Sequence, residues 1–189
     1  MKNEDTRKRL LAATIRLLES GQEAETITAR QICAEAETNL AMINYFYKSK
    51  EALMNLAVQS IISAEAEKLD VSAESNLSPR KQLRRALIAL CDTTAAYRQY
   101  ARVTIPYILL QDEIKIPLTL LPLLRRHFGT SRSEEECRII AYEFVSFSQL
   151  VFLRAEDFLS YSGVDVFDAG QRSRLIDMQL DLFLGKEEK

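Results

Sequence analysis

The most constraining feature of the sequence is a series of three helix-start signals within residues 28–53. Thr28 and Gln31 have the spacing of a capping box, in which each side chain satisfies a backbone N–H group of the other residue. Asn39 precedes a second short apolar segment and Ser49 a third, and both residue types are favoured N-caps. The pattern predicts two short helices joined by a tight turn, followed at once by the start of another helix.

The rest of the chain also favours helices. Five glycines and four prolines are few for 189 residues, and the apolar residues show no alternation with period two. A helix is expected over residues 3–20, with Gly21 at its C-terminal end, where a left-handed residue is favoured. We therefore expect an all-α fold, with an N-terminal three-helix head and a C-terminal helical bundle.

Composition shifts divide the chain into three parts. The head covers residues 1–48, and a connecting helix that begins at Ser49 occupies residues 49–70. The following segment is polar and ends at Pro79, which suits the first turn of a new helix. We expect residues 71–189 to form the second domain.

The head resembles the DNA-binding domain of the tetracycline-repressor (TetR) family of transcriptional regulators. The apolar pattern of the family's first helix is matched by Leu10, Leu11, Ala13, Leu17 and Leu18. Gly21 and Thr26 follow in the expected order. The signature of its recognition helix is matched at a second set of positions, which ends in a Ser-Lys-Glu-x-Leu segment: Ala36, Ile43, Ser49, Lys50, Glu51 and Leu53. The string NLAMINY looks most like a subgroup with Asn-x-Ala-x-Ile-Asn-Tyr.

This resemblance implies a helix-turn-helix unit whose second helix enters the major groove of double-stranded DNA. The amide of Asn44 could pair with adenine, and Leu40 and Met42 could touch thymine methyl groups. Ala41 and Ile43 are expected on the inner face, with Phe46 or Tyr47. Phosphates would be met by Tyr45, Tyr47, Lys48 and Lys50, and the positions matching Tyr45 and Lys50 commonly do so in the family. The expected DNA-contacting residues are Thr28, Arg30, Asn39, Leu40, Met42, Asn44, Tyr45, Lys48 and Lys50.

The sequence departs from the family pattern at the turn. Glu37 replaces the turn glycine, and a left-handed backbone there would cost about 1–2 kcal/mol. Either the turn avoids that conformation or the surrounding packing absorbs the cost. Asn44 also stands where the family often has an aromatic residue, so the base contacts do not follow from the resemblance alone.

Prolines interrupt the apolar region between residues 97 and 128, and Pro106 is expected to kink or split a helix. TetR-like proteins usually bind a small-molecule effector in a C-terminal cavity, and broken helices leave gaps. The expected lining residues are Tyr97, Tyr100, Arg102, Thr104, Tyr107, Gln111, His127, Tyr142 and Phe147. The alternative is that these aromatic residues are core, and the identity of the effector does not follow from the sequence.

Two C-terminal helices have more apolar surface than one neighbour can cover. Eleven of the fifteen residues over 139–153 are apolar or aromatic, and residues 172–184 carry two apolar stripes. The resemblance implies a homodimer formed by these helices and a palindromic operator, and the alternative is a buried helix in a monomer. The expected interface residues are Phe144, Phe147, Val151, Phe152, Leu175, Met178 and Leu182.

Several classes of protein are disfavoured. No stretch reaches 18 consecutive apolar residues and the N-terminus is polar, which predicts a cytoplasmic protein without a membrane contact. Three widely separated cysteines favour reduced thiols. His127 is the single histidine and has no companions at ligand spacing, so we expect no metal, no cofactor and no catalytic residue.

The sequence thus predicts a DNA-binding regulator, most simply a repressor that a small ligand releases. DNA-binding proteins usually carry an excess of basic residues, and here that excess is small. The net charge of the chain is −2, and residues 1–50 hold 8 basic and 7 acidic residues, which argues weakly against DNA binding. One alternative is a helical binding or scaffolding module that does not read DNA. Another is an enzyme acting in the C-terminal cavity.

Overall fold

The computed structural model describes residues 2–66 and 77–186, and all regular structure in these two ranges is helical. This confirms the all-α fold. The ten α-helices of the described residues are α1 (Lys2–Glu19), α2 (Ala29–Glu35), α3 (Leu40–Tyr47), α4 (Lys50–Ala66), α5 (Pro79–Ala96), α6 (Ala101–Leu110), α7 (Leu121–Phe128), α8 (Glu134–Leu153), α9 (Ala155–Ser162) and α10 (Ala169–Leu184). Short 3-10 helices lie at Ala24–Thr26, Arg98–Tyr100 and Ile116–Leu120.

The chain forms two compact units. The first unit comprises Met1–Val71 and Gln99–Asp112, and the second comprises Ser72–Arg98 and Glu113–Lys189. Division of the sequence at residue 71 would assign residues 99–112 to the C-terminal domain, whereas the structure places them with the N-terminal helices. The end of the predicted connecting helix, from residue 67 to residue 70, lies outside the described residues.

The core of the first unit lies where α1 and α6 pack against α4. Leu10, Leu53 and Met54 are fully buried there. Tyr100, just before α6, is also buried, and its phenol donates to the carbonyl of Leu18 in α1 at 3.4 Å. This long-range bond and the packing of α6 against α4 tie α6 to the first unit.

The second unit is built on α5, α7, α8 and α10. Its fully buried side chains come from all four helices: Leu83, Leu87, Leu124, Phe144, Ile176 and Leu180. Ion pairs tie α5 to α10, with Arg84 Nε at 2.6 Å from Asp177 and Arg80 donating to Asp181 at 2.5 Å. Apolar burial therefore holds this unit together, and ion pairs fix the register of two of its helices.

Local helix signals account for most of the observed helix ends. Gly21 follows α1 with a φ of +84°, and Pro79 is the first residue of α5 behind the N-cap Ser78. Ser133 and Glu136 form a capping box at the start of α8. Pro106, in contrast, lies inside α6, which continues on both sides of it, so the helix is not split there. A proline removes a single backbone hydrogen bond, and the helix tolerates this loss.

Cys33, Cys91 and Cys137 are free and buried. Burial raises the pKa of each thiol above its ordinary value. All three are therefore protonated, weakly reactive core residues at neutral pH. Among the described residues, no helix combines the length and the apolar character needed to cross a membrane.

Candidate nucleic-acid interface

The start of α2 is fixed by the predicted capping box. The Thr28 hydroxyl oxygen accepts from the Gln31 backbone N–H at 3.2 Å, and the Gln31 side-chain oxygen accepts from the Thr28 N–H at 2.7 Å. Ile32 and Cys33 form the buried face of α2, as the sequence predicted. The Thr28 hydroxyl also donates to Gln31 at 2.8 Å, so this predicted DNA-contacting residue has a structural role as well.

The turn between α2 and α3 adopts a Schellman motif around Glu37. The Thr38 N–H donates to the Cys33 carbonyl at 2.9 Å and the Glu37 N–H donates to the Ala34 carbonyl at 3.2 Å. Glu37 has a φ of +50°, which is the left-handed conformation that favours glycine. The turn therefore keeps the geometry expected of a glycine-containing turn, with a backbone cost of about 1–2 kcal/mol at Glu37.

Glu37→Gly is expected to raise the free energy of unfolding by about 0.5–1 kcal/mol. The left-handed backbone costs an L-residue about 1–2 kcal/mol, and the greater freedom of glycine in the unfolded chain costs roughly 0.5–1 kcal/mol. Urea denaturation measures the difference. Glu37→Ala is the matched control, because it removes the carboxylate and keeps the Cβ atom. Equal gains from both variants would show that charge, rather than backbone strain, is responsible.

Asn39 caps α3, as predicted, and its side-chain oxygen accepts from the Ala41 N–H at 3.1 Å. Ile43 and Tyr47 are the buried residues of the helix, whereas Asn44 is exposed. Ala41 is exposed too, although the sequence analysis placed it on the inner face. A helical period of 3.6 residues groups residue 41 with residues 44, 45 and 48, and this spacing was the signal that could have identified it.

The exposed face of α3 is mostly uncharged. Leu40 is 47% exposed, Tyr45 is 68% exposed and Met42 is half-buried. We call Leu40, Ala41, Asn44 and Tyr45 the α3 face. It presents two apolar side chains, one amide and one phenol, which is a set that can contact base edges and phosphates.

Tyr47 anchors α3 to α1. Its phenol donates to the Arg7 carbonyl at 2.7 Å, and the Arg7 guanidinium carbon lies 5.8 Å from the centre of the ring. Burial raises the pKa of the Tyr47 phenol, and the neighbouring Arg7 offsets part of this rise. At neutral pH the phenol is therefore a neutral donor that fixes the C-terminal end of α3, and Asn39 caps the N-terminal end.

The predicted cationic contacts differ in their surroundings. Arg30 and Lys48 are exposed, and Lys48 ends α3 with a φ of +69°. Lys50 is half-buried, and its ammonium donates to the Ile27 carbonyl at 3.1 Å, which ties the start of α4 to the segment before α2. Ser49 caps α4 as predicted, accepting from the Ala52 N–H at 3.0 Å. Lys50 thus has a structural role, and Arg30 and Lys48 are the cleaner positions for testing phosphate contacts.

The residues predicted to line an effector cavity are divided between the two units. In the first unit, Tyr100 and Thr104 are buried, and the Thr104 hydroxyl donates to the Tyr100 carbonyl at 3.1 Å. Arg102 is exposed and its Nε lies 4.0 Å from a Glu25 oxygen. The remaining two residues of this unit are the half-buried Tyr107 and the exposed Gln111.

The other four predicted lining residues belong to the second unit. Tyr97 is half-buried, Tyr142 is 43% exposed, and the His127 Nε2 lies 3.5 Å from the Leu184 carbonyl. Phe147 lines an open, mainly apolar groove of about 330 Å³ between α8 and α9, together with Leu150, Val151, Arg154, Asp157, Phe158 and Tyr161. Phe147 is the member of the predicted set that lies in this groove.

The residues predicted for a dimer interface fall into core and surface groups. Phe144, Val151 and Phe152 are buried within one chain: Phe144 is fully buried in the core of the second unit, whereas Val151 also lines the open groove. Phe147 and Leu175 are half-buried. Met178 and Leu182 of α10 are 50% and 82% exposed, and further apolar surface on α8 comes from Ile139, Tyr142 and Leu150. The predicted set divides in this way because an apolar helix packs some of its residues against its own chain.

Across residues 2–66 and 77–186, no cluster of three or more histidine, cysteine, aspartate or glutamate side chains could hold a metal ion.

No protein-family model matches the sequence. No curated protein matches it either.

The fold is similar to that of a solved structure described as a TetR-like transcriptional regulator from Rhodococcus sp. RHA1. The TM-score is 0.52 at 22% sequence identity, and the match covers 96% of this chain and 97% of the other. A match over nearly the whole of both chains shows that the two chains share a fold. The chain therefore has the all-helical fold of a TetR-like regulator.

Proposed function

We propose that this protein is a member of the TetR family that regulates transcription by binding DNA through α2, the Glu37 turn and α3. The observation that carries the proposal is the exposed α3 face on a helix fixed at both ends. Asn39 caps the start of α3, and Tyr47 binds α1 from its last turn. A helix held in this way can present side chains to a major groove without reorganising, and Arg30 and Lys48 can contact flanking phosphates.

The proposed active species is a homodimer. Met178 and Leu182 on α10, and Ile139 and Leu150 on α8, are large apolar side chains exposed in a single chain. Such surface is typical of a protein–protein interface. A two-fold dimer would present two α3 helices about 34–36 Å apart, which is one turn of DNA, and would require a palindromic operator.

A small-molecule effector is proposed to bind the second unit and to release the protein from its operator. The apolar groove that contains Phe147 is one candidate place, with Arg154 and Asp157 as its polar groups. The effector would favour a dimer conformation in which the two α3 helices no longer match successive major grooves. Repression relieved by the effector is the simplest outcome of this scheme, and no catalytic step is proposed.

A second candidate is a helical binding module that does not read DNA. The observations that favour it are the exposed carboxylate of Glu37 beside α3 and a net charge of −2 for the chain. The two candidates differ in their response to salt. Phosphate contacts release condensed counterions, so binding to DNA must weaken steeply as the salt concentration rises.

Selection of bound duplexes from a random DNA pool tests the proposed function. At low salt we expect enrichment of a palindrome with half-sites about 10 base pairs apart. Lys48→Ala should weaken binding to all sequences to a similar extent and reduce the salt slope by about one for each half-site. Gln59→Ala is the matched control, because Gln59 is exposed on α4 of the same unit and lies outside the proposed interface. A pool without enrichment would overturn the DNA-reading proposal and favour the binding module.

A further inference from the structure

We propose that the bases read by α3 are A·T pairs, so that each operator half-site has an A·T core with thymine methyl groups facing the protein. This inference rests on the proposed DNA-reading function and specifies the sequence class that the α3 face can recognise. It is carried by the juxtaposition of Leu40, Ala41 and Asn44 on the exposed side of one helix. In helix-turn-helix proteins, the N-terminal residues of the recognition helix contact base edges.

The α3 face lacks the groups that read guanine. Paired hydrogen bonds from arginine or lysine to guanine O6 and N7 are the commonest specific contact in the major groove. Residues 40–47 contain neither residue type. Lys48 follows the helix as its C-cap, with a φ of +69°, beyond the N-terminal turns that contact base edges. From this position Lys48 can contact a phosphate.

The same face lacks the groups that read cytosine. The exocyclic amine of cytosine is read by a carboxylate, and residues 38–47 contain none. Glu37 lies in the turn before the N-cap, outside the helix that enters the groove. The side-chain oxygen of Asn39 already accepts from the Ala41 N–H.

The groups that remain are complementary to A·T pairs. The exposed Asn44 amide carries both a donor and an acceptor, which match adenine N7 and N6. Leu40, at 47% exposure, and the methyl group of Ala41 are apolar partners for the methyl group of thymine. Residues 40 and 44 lie one helical turn apart on the same face, a rise of about 6 Å, so they can contact base pairs one or two steps apart.

The test compares wild type with Asn44→Ala and Leu40→Ala on the sequence enriched from the random pool. Asn44→Ala should lose its preference at one A·T position in each half-site, which lowers affinity for the enriched sequence about 5- to 150-fold per half-site. Replacement of thymine by deoxyuridine at neighbouring positions removes only the methyl group. This replacement should weaken binding of wild type and have little effect on Leu40→Ala.

Gln59→Ala serves as the control for both measurements, and far-ultraviolet circular dichroism checks that each variant remains helical. A palindrome with G·C pairs at the Asn44-sensitive positions would overturn the A·T assignment and leave the DNA-reading function intact. Equal deoxyuridine effects in wild type and Leu40→Ala would overturn the thymine contact. A pool without any enriched sequence would instead overturn the proposed function itself, so the two failures are distinguishable.

Discussion

Tyr47→Ala is expected to lower the free energy of unfolding by about 3–5 kcal/mol, the cost of deleting a buried aromatic side chain. Tyr47 is 8% exposed, and the substitution would remove both its packing and its bond to the Arg7 carbonyl. Because this residue holds the last turn of α3 against α1, the proposed DNA binding should be lost together with the fold of the helix-turn-helix segment. Urea denaturation and binding to the enriched duplex measure the two effects.

Two tyrosine variants separate the causes. Tyr45→Ala removes a neighbouring tyrosine that is 68% exposed, so stability should change by less than about 0.5 kcal/mol. Tyr47→Phe keeps the ring and removes the hydroxyl, which should cost about 1 kcal/mol. A loss in Tyr45→Ala as large as that in Tyr47→Ala would contradict the assignment of Tyr47 as the anchor.

The Tyr47 hydroxyl should also make stability depend on pH, and the comparison of wild type with Tyr47→Phe measures this. The folded-state pKa of Tyr47 is raised, mainly by burial, so its contribution to stability is fully present below the pKa of a free phenol. The contribution is lost as the pH rises above about 10. Tyr47→Phe should therefore show a shallower alkaline loss of stability than wild type.

Short-range signals in the sequence were sufficient to predict the starts of α2, α3 and α4. A capping box depends on residues three apart, so Thr28 with Gln31 identified the start of α2 from sequence alone. The burial of Ile43 likewise follows from helical periodicity within eight residues. These two predictions agree with the structure because the residues that determine the outcome are close neighbours in the chain, whereas Ala41, expected on the inner face of the same helix, is exposed.

Features that depend on distant residues could not be predicted in the same way. The sequence left open whether Glu37 is left-handed, because the answer depends on packing that absorbs the strain. The assignment of α6 to the first unit depends on its packing against α4 and on the contact between Tyr100 and Leu18, 82 residues apart. The effector cavity predicted from the prolines between residues 97 and 128 stays a prediction, and the groove near Phe147 is formed by the later helices α8 and α9.

The dimer interface shows the same limit at the level of a single helix. The apolar residues of α8 lie on nearly all sides of the helix, and hydrophobicity alone does not show which of them face their own chain. Phe144 is fully buried, with its ring 5.2 Å from that of Phe183, whereas Leu182 is 82% exposed. Phe144 and Leu182 belong to the same predicted interface, but Phe144 lies in the core of one chain and Leu182 lies on its surface.

Phe144→Ala is expected to lower the free energy of unfolding by about 3–5 kcal/mol, because it opens a cavity in the core of the second unit and removes the edge-to-face contact with Phe183. The loss arises within one chain. It should therefore appear at every protein concentration in urea denaturation, provided that wild type is measured at the same concentration.

Leu182→Ala is the matched control, since it removes an apolar side chain of similar size from an exposed site on α10. The stability of the single chain should change by less than about 0.5 kcal/mol. If α10 contributes to the proposed dimer, the variant should instead raise the dissociation constant measured by sedimentation. A concentration-independent loss of several kcal/mol in Leu182→Ala would contradict the division of these residues into core and interface. The same conclusion would follow if Phe144→Ala altered only the dissociation constant, because a residue with no exposed surface in one chain can reach a partner only after its own core has opened.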